Sequence, residues 1–374
     1  MTGSWTTAGD LPTLTQWQGN FEGPVLLADG RVLQAGGSDG HSTSEAATAV
    51  FDPATGKWTA SGALAEARRL HTLTRLADGR VLAAAGATGP VRIPVPGLAT
   101  AEIYDPAVGV WKSTGALATG RSGHSATLLA DGRVLVAGGD APRTSAVSGT
   151  LRSAELYDPV AGTWSATGPM TDARWGHQAV SLADGRVLVI GGIVSGVDSG
   201  LAFCEIYDPR TGVWTPTGSM AAPRRAFQAT LLADGTVLVT GGANTGMTGG
   251  WVYTRHSQNA AELYDPVTGV WRAAAPMPSP RAYHQALRLV SGAVLVFGGT
   301  DTVTLDAGYR NAVLYDPVTE QWSSAAGLAT GRWAFGAVEL TDGRVLAFGG
   351  CSRSNYATPA AGGVLTATTE VYTP

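Results

Sequence analysis

The feature that most constrains this chain is a repeat, seen most clearly between Arg121 and Trp164. There, small and apolar residues alternate from Ser125 to Leu129, turn at Asp131-Gly132, and return as Arg133 to Ala137. That pattern predicts a β-hairpin, because the strand period is two and Asp-Gly supplies the positive φ of a tight turn. A second hairpin follows, with Ala154 to Tyr157 and the segment starting at Trp164 flanking the turn residues Asp158-Pro159 and Gly162. Proline presets φ for such a turn and glycine permits its left-handed position. The unit is therefore a four-stranded antiparallel meander.

Seven copies of the unit fill the chain. The first turn falls at Asp29, Asp78, Asp131, Asp184, Asp234, Ser291 and Asp342, and in every copy the glycine closing the second strand lies eight residues further on. Phe51, Tyr104, Tyr157, Tyr207, Tyr264, Tyr315 and Tyr372 end the third strand, and Trp58, Trp111, Trp164, Trp214, Trp271 and Trp322 open the fourth. The seventh copy ends at Pro374 without its tryptophan, while Trp5 stands at the N-terminus with no preceding strands. The expectation is a ring closed by the strand of Trp5, which completes the last blade.

The double glycines, the Tyr-Asp-Pro triplets and the tryptophans at these offsets resemble the kelch repeat, from Trp5 to Pro374. The resemblance implies a β-propeller. The pattern itself agrees, since radial stacking of four-stranded sheets leaves only short, protected edges. The expected fold is thus all-β, a seven-bladed kelch-type propeller forming a single domain over residues 1–374.

Composition narrows the functional classes. Twenty-five basic residues against 29 acidic ones, with Lys57 and Lys112 the only lysines, provide no basic stripe for nucleic acid or an anionic membrane. No apolar run is long enough to span a bilayer. The segment MTGSWTTAGDL has neither the charged nor the apolar region of a signal peptide, so a cytoplasmic location is expected. Cys204 and Cys351 sit in different blades and at different repeat positions, which argues against a disulfide and leaves Cys351 as the candidate reactive thiol.

Spacing selects the functional face. The connections from Tyr to Trp (seven residues) and from Trp to the next arginine (ten) are fixed, whereas double glycine to Tyr varies from 14 to 22. In a meander that variable loop shares a face with the link into the next blade, and binding residues concentrate on loops held by a rigid scaffold. On that face recur Arg68, Arg121, Arg174, Arg224, Arg281 and Arg332, expected to be struts pairing with Glu102, Glu155, Glu205, Glu262 and Glu370 of their own blades. Blade one lacks both partners and blade six has Val313 at the glutamate position.

Three residues after the arginine comes the column Glu22, His71, His124, His177, Phe227, His284 and Phe335. It admits two readings. The histidines bond the backbone of the neighbouring blade, or His71, His124 and His177, with Glu22, surround a divalent metal ion. Glu22 beside His71 also suits a carboxylate orienting a general base. The preceding column runs Phe21, Leu70, Gly123, Gly176, Ala226, Tyr283 and Ala334.

The segment Arg281 to Leu289 is similar to the copper-ligating Tyr-His segment of the galactose oxidase family, which would make Tyr283 and His284 copper ligands. The family's second tyrosine is missing from the column, which offers only Phe21, and no added C-terminal domain follows the last blade to supply a further histidine. Copper radical chemistry is therefore not expected. Tyr283 and His284 remain candidates for acid or ligand, with Glu22 and His71 as base.

Departures from the repeat on this face mark candidate binding residues. They are Trp17, Phe21, Trp175, Arg225, Phe227, Trp333, Phe335, Cys351 and the insertion from Gly249 to Asn259, with Trp251, Tyr253, Arg255 and His256. Together they give one mouth the aromatic and arginine content of a ligand pocket or a protein hot spot. No phosphate loop, GxSxG elbow, HExxH or zinc-spaced cysteine pair is present. Two functions follow: a small organic or peptide ligand bound in the mouth, with acid/base or metal-assisted chemistry, or a protein-interaction scaffold without catalysis.

Overall fold

A computed structural model describes residues 3–15, 23–39, 43–89, 97–141, 149–194, 200–243, 247–248, 251–252, 257–301, 307–353 and 364–374. Within them lie seven four-stranded antiparallel sheets and two short two-stranded ribbons, Met247–Thr248 with Trp251–Val252 and Cys351–Arg353 with Val364–Leu365. Each innermost strand lies beside those of the two adjacent sheets, and Val25–Leu26 of the first blade meets Gly336–Glu339 of the last. The arrangement is the expected seven-bladed propeller. Among the described residues no helix is long and apolar enough to cross a membrane.

Strand composition follows depth. The second strand of each blade is covered on both faces and so reads as an apolar run rather than an alternation, as in Val134–Ala137 and Val187–Ile190, all buried. The fourth strand borders solvent and alternates, as in Thr163–Thr167. Apolar clusters form between blades; one joins Leu135 and Leu156 of blade three to Val187, Val189 and Tyr207 of blade four. The rings of Tyr157 and Trp164 pack at 4.9 Å within their blade. The Trp164 indole then donates to the carbonyl of Gly115 in the preceding blade, at 2.8 Å.

Closure is achieved as the sequence predicts. Ser4–Ala8 pairs with Thr369–Thr373, in the register Trp5 to Tyr372, as the outermost strand of the last sheet. Trp5 takes over the tryptophan's part in full. Its ring lies 5.1 Å from that of Tyr372, and its Nε1 donates to the carbonyl of Ala326 in blade six at 2.8 Å.

The buried arginines pair within their own blades. Arg121 donates to Glu155 at 2.7 Å, and matching pairs join Arg68 to Glu102, Arg174 to Glu205, Arg224 to Glu262 and Arg332 to Glu370. The same Arg121 donates to the carbonyls of Gly138 and Ser153, while Glu155 accepts from the Ala118 N–H of the incoming link. Arg281 has no carboxylate among the described residues. It donates to Gly298 O and to Asn311 O and Oδ1 and lies against the ring of Tyr309, and burial lowers its pKa to about 10.

Replacing Trp5 with alanine removes two ring contacts and the bond to blade six. Trp5→Ala is expected to lower unfolding free energy by about 3 kcal/mol in a urea titration. A loss below about 1 kcal/mol would show that the strand contributes little to closure.

Candidate functional site

The links and the variable loops share one rim. In six blades the residue after the strut arginine forms a bridge with the residue after the double glycine: Arg69 with Ala87, Ser122 with Asp140, Trp175 with Ile193, Arg225 with Ala243, Ala282 with Thr300, and Trp333 with Cys351. Just inside runs a backbone annulus. Leu70, Gly123, Gly176, Ala226, Tyr283 and Ala334 all have left-handed φ, between 48 and 65°. Gly123 N–H donates to Leu70 O, Gly176 to Gly123, Tyr283 to Ala226 and Ala334 to Tyr283. A tyrosine in that conformation is unfavourable without a compensating contact, and the Tyr283 ring finds one, lying 5.6 Å from that of Trp333.

The next column enters the joints between blades. His124 Nε2 is 3.0 Å from Thr72 Oγ1 of the preceding blade, His177 Nε2 is 2.9 Å from Ser125 Oγ, and His284 Nε2 is 2.9 Å from Thr240 Oγ1. The partners are hydroxyls, not the backbone groups expected. The rings of His71, His177 and His284 also press on the first glycine of the previous blade's pair; a Cβ on Gly138 would come within 2.9 Å of His177 Cε1 and 2.5 Å of Arg174 O, whereas the pair before His124 begins with Ala85. The second glycine does the same for its own blade, since a Cβ on Gly139 would reach 3.0 Å from His124 Cβ. The double glycine therefore exists to let this column through. Phe227 and Phe335 fill the same slots against Gly191 and Gly298.

Burial leaves all four histidines uncharged. Desolvation, reinforced by the strut Arg68, pushes His71 down to about 3, and desolvation with Arg174 does the same to His177. His124 and His284 are held well below the usual value, by burial first and then by Arg121 and Arg281. Among the described residues no three His, Cys, Asp or Glu side chains converge to hold a metal ion, so His71, His124 and His177 are not assembled into the expected ligand set. Glu22, which would complete it, lies outside the described residues, as do Trp17, Phe21, Tyr253 and Arg255, while Trp251 is described in its backbone alone.

The structure does bring together Tyr283, Trp333 and Cys351. With Ala226, Ala243 and Ala282 they form a closed apolar cluster over blades five to seven. Trp333 is 0% exposed, so it is a packed plug rather than the expected open wall, and Phe227 and Phe335 are equally enclosed. The Cys351 thiol is not a reactive group, because burial pushes its pKa up to about 12. Trp175 is half-buried at the rim. Arg225 is 7% exposed, and its Nε has no hydrogen-bond partner. Its counterpart Arg69 instead donates to Ser44 Oγ and to the Gly89 carbonyl. Sequence reasoning overlooked Gln228 and Gln285, whose amides donate to the carbonyls of His284 and Phe335 across the next joint. Their shared offset from the column was the available signal.

A family model for the KLHDC2/KLHL20/DRC7 kelch-repeats domain matches residues 123–350. The chain belongs to the kelch-repeat family. Kelch-like protein 34 of Homo sapiens is 34% identical over 134 residues, and Kelch-like protein 33 of the same organism 32% over 154. These stretches take in 35% and 40% of this kelch chain but 20% and 27% of those proteins. Among solved structures, a fungal alcohol oxidase of the AA5 family in complex with copper superposes with a TM-score of 0.75 at 17% identity, covering 100% of this chain and 77% of that one. YjhT does so at 0.64 and 15%, covering 85% and 99%. At such identities the likeness is one of fold.

Two outcomes test this account of the mouth. Trp333→Ala should destabilise the fold by about 3–5 kcal/mol in chemical denaturation, as expected of a packed core aromatic. The histidines set an acid limit. The unfolded chain protonates His71 and His177 below about pH 6.5 and the native chain only near 3, so stability is lost as pH falls from about 6.5, with a slope approaching about 1.4 kcal/mol per pH unit for each of the two. His177→Phe, which copies blades five and seven, should remain folded at pH 7.5 and show a shallower decline between pH 6 and 4.5. An unchanged slope would remove His177 from the effect.

Proposed function

We propose that this kelch propeller is a protein-interaction scaffold whose docking face is the rim carrying the variable loops. The reading rests on one observation: among the described residues, the tyrosine, tryptophan and histidines that could have served a small substrate are buried beneath the rim. Membership of the kelch family and the resemblance to Kelch-like proteins add support. On this reading the exposed loop surface docks the partner. Trp175, half-buried at the rim of blade four, serves as an anchor, tryptophan being among the residue types that dominate protein hot spots. The insertion bearing Trp251, Tyr253 and Arg255 belongs to the same surface, and the working location is the cytoplasm.

A small organic or peptide ligand acted on by Glu22, His71, Tyr283 and His284, with or without a divalent metal ion, is the weaker reading. General acid/base work needs a titrating group within reach of substrate, and His71 and His284 are each 0% exposed.

Partners crosslinked to the wild-type chain in cells, identified by mass spectrometry, should be lost from Trp175→Ala. They should be retained by Val160→Ser on the opposite face, with all three proteins sharing one melting temperature. The same set captured by Trp175→Ala would dismiss the proposed anchor.

A further inference from the structure

Blade six, whose strands are Gln285–Arg288, Val294–Phe297, Ala312–Asp316 and Gln321–Ala325, lacks ties that recur around the rest of the ring. One is lost at the strut. Elsewhere the glutamate paired with the buried arginine also accepts the N–H three residues before that arginine, from Ala65, Ala118, Thr171, Ala221 and Ala329. In blade six Pro278 holds that place and has no N–H to give, while Val313 replaces the glutamate. Arg281 is left to the carbonyls of Gly298 and Asn311 and to the Asn311 carboxamide.

More are lost at the end away from the loops. Arg31, Arg80, Arg186 and Arg344 each pair with the aspartate of their own first turn and donate to a proline carbonyl of the next blade. In the two joints that flank blade six, Thr236 and Ala293 take the arginine's place, and the Thr236 hydroxyl turns back to Asp234. Third-strand tyrosines share a hydrogen bond with a hydroxyl of the preceding blade: Tyr104 with Ser61, Tyr157 with Thr114, Tyr207 with Thr167 and Tyr264 with Thr217. Ala274 holds the corresponding place before blade six, and the buried Tyr315 hydroxyl has no hydrogen-bond partner. Backbone ties follow suit. Gly62 N–H donates to Gly109 O, and Gly115, Gly168 and Gly218 do likewise in their joints, whereas the corresponding Ala275 and Glu320 form no such bond among the described residues.

Exposed contacts stand in for what is missing. Arg272 pairs with Glu320 across the joint with blade five, and the Val290 N–H donates to Glu339 of blade seven. The Arg272 and Glu320 side chains are 56% and 36% exposed, and an ion pair so placed contributes little and weakens as salt screens it. The Trp322 indole keeps its bond to Ala275 O. At the rim the blade remains held: Gly242 N–H donates to Arg281 O, Gly299 N–H to Arg332 O, and the apolar cluster of Tyr283 and Trp333 packs over it. Local opening follows the distribution of stabilising contacts, so the least tied unit parts first. We propose that blade six is a salt-sensitive opening unit, whose end away from the loops separates from blades five and seven ahead of global unfolding while the sheet closed by Ser4–Ala8 stays shut. The opening concerns the face opposite the proposed docking rim and does not depend on that reading.

Hydrogen exchange of the intact chain, read by mass spectrometry of its peptides, tests this. Val294–Phe297 and Ala312–Asp316 should exchange at least about ten-fold faster than the matching strands of blade three, Val134–Ala137 and Ala154–Asp158. Raising sodium chloride from about 0.05 to about 0.5 M should quicken blade six about two- to five-fold and leave blade three unchanged. Glu320→Gly, which restores the turn glycine of the other blades and removes the ion pair, should abolish that salt response. Ala274→Thr, which copies blades three and four, should supply the Tyr315 hydroxyl with a partner and slow exchange in blade six about five-fold. Exchange led by Ser4–Ala8 and Thr369–Thr373, blade six exchanging at the rate of blade three, or a salt response that survives Glu320→Gly would overturn the proposal.

Discussion

The buried arginine at the head of each blade is the interaction on which the rest hangs. A guanidinium removed from water is tolerated only when its charge is met and its donors are satisfied. Arg121 meets both conditions by reaching the double glycine, the start of the third strand and Glu155 together. The glutamate then fixes the incoming link through a backbone N–H. One ion pair thus sets the position of the link, and the link carries the annulus, the histidine column and the rim residues. Blade six shows the arrangement under substitution. Arg281 keeps its place through Asn311 and Tyr309 instead of a carboxylate.

Histidines near a channel mouth invite a chemical reading, and the surroundings argue against it. A metal ligand or general base needs a free lone pair and access; these rings have Nε2 turned to a hydroxyl of the preceding blade or lie under the backbone at Ala35. The glycine pair, which in sequence looks like a strand terminator, is the other half of the same joint. Residues as different as His177 and Phe335 serve one slot because what the slot requires is a flat ring thin enough to pass a glycine.

The fold was legible because it is dictated by local rules repeated seven times: turn chemistry, strand period and the offsets between them. The closing strand could be assigned because Trp5 lacked a blade and blade seven lacked a tryptophan. The Arg–Glu pairs could be inferred from the joint absence of both in blade one. Side-chain depth was another matter. Trp333 and Trp175 occupy the same repeat position, yet one is sealed by Tyr283 and the other sits at the rim, and only the neighbours contributed by adjacent blades decide which. Cys351 was misjudged for the same reason, since a thiol following a double glycine gives no sign of the apolar cluster that keeps it protonated.

The pairing of Ser4–Ala8 with Thr369–Thr373 also has a consequence for biosynthesis. Within the propeller, the strand made first finds its partner only after all the other blades have been made. Six sheets can form in order as they emerge, each stacking on the one before, while the opening strand waits with an unpaired edge. The circle is therefore complete only once Thr369–Thr373 has been made, and a chain truncated anywhere short of residue 369 leaves that first strand exposed as an adhesive end.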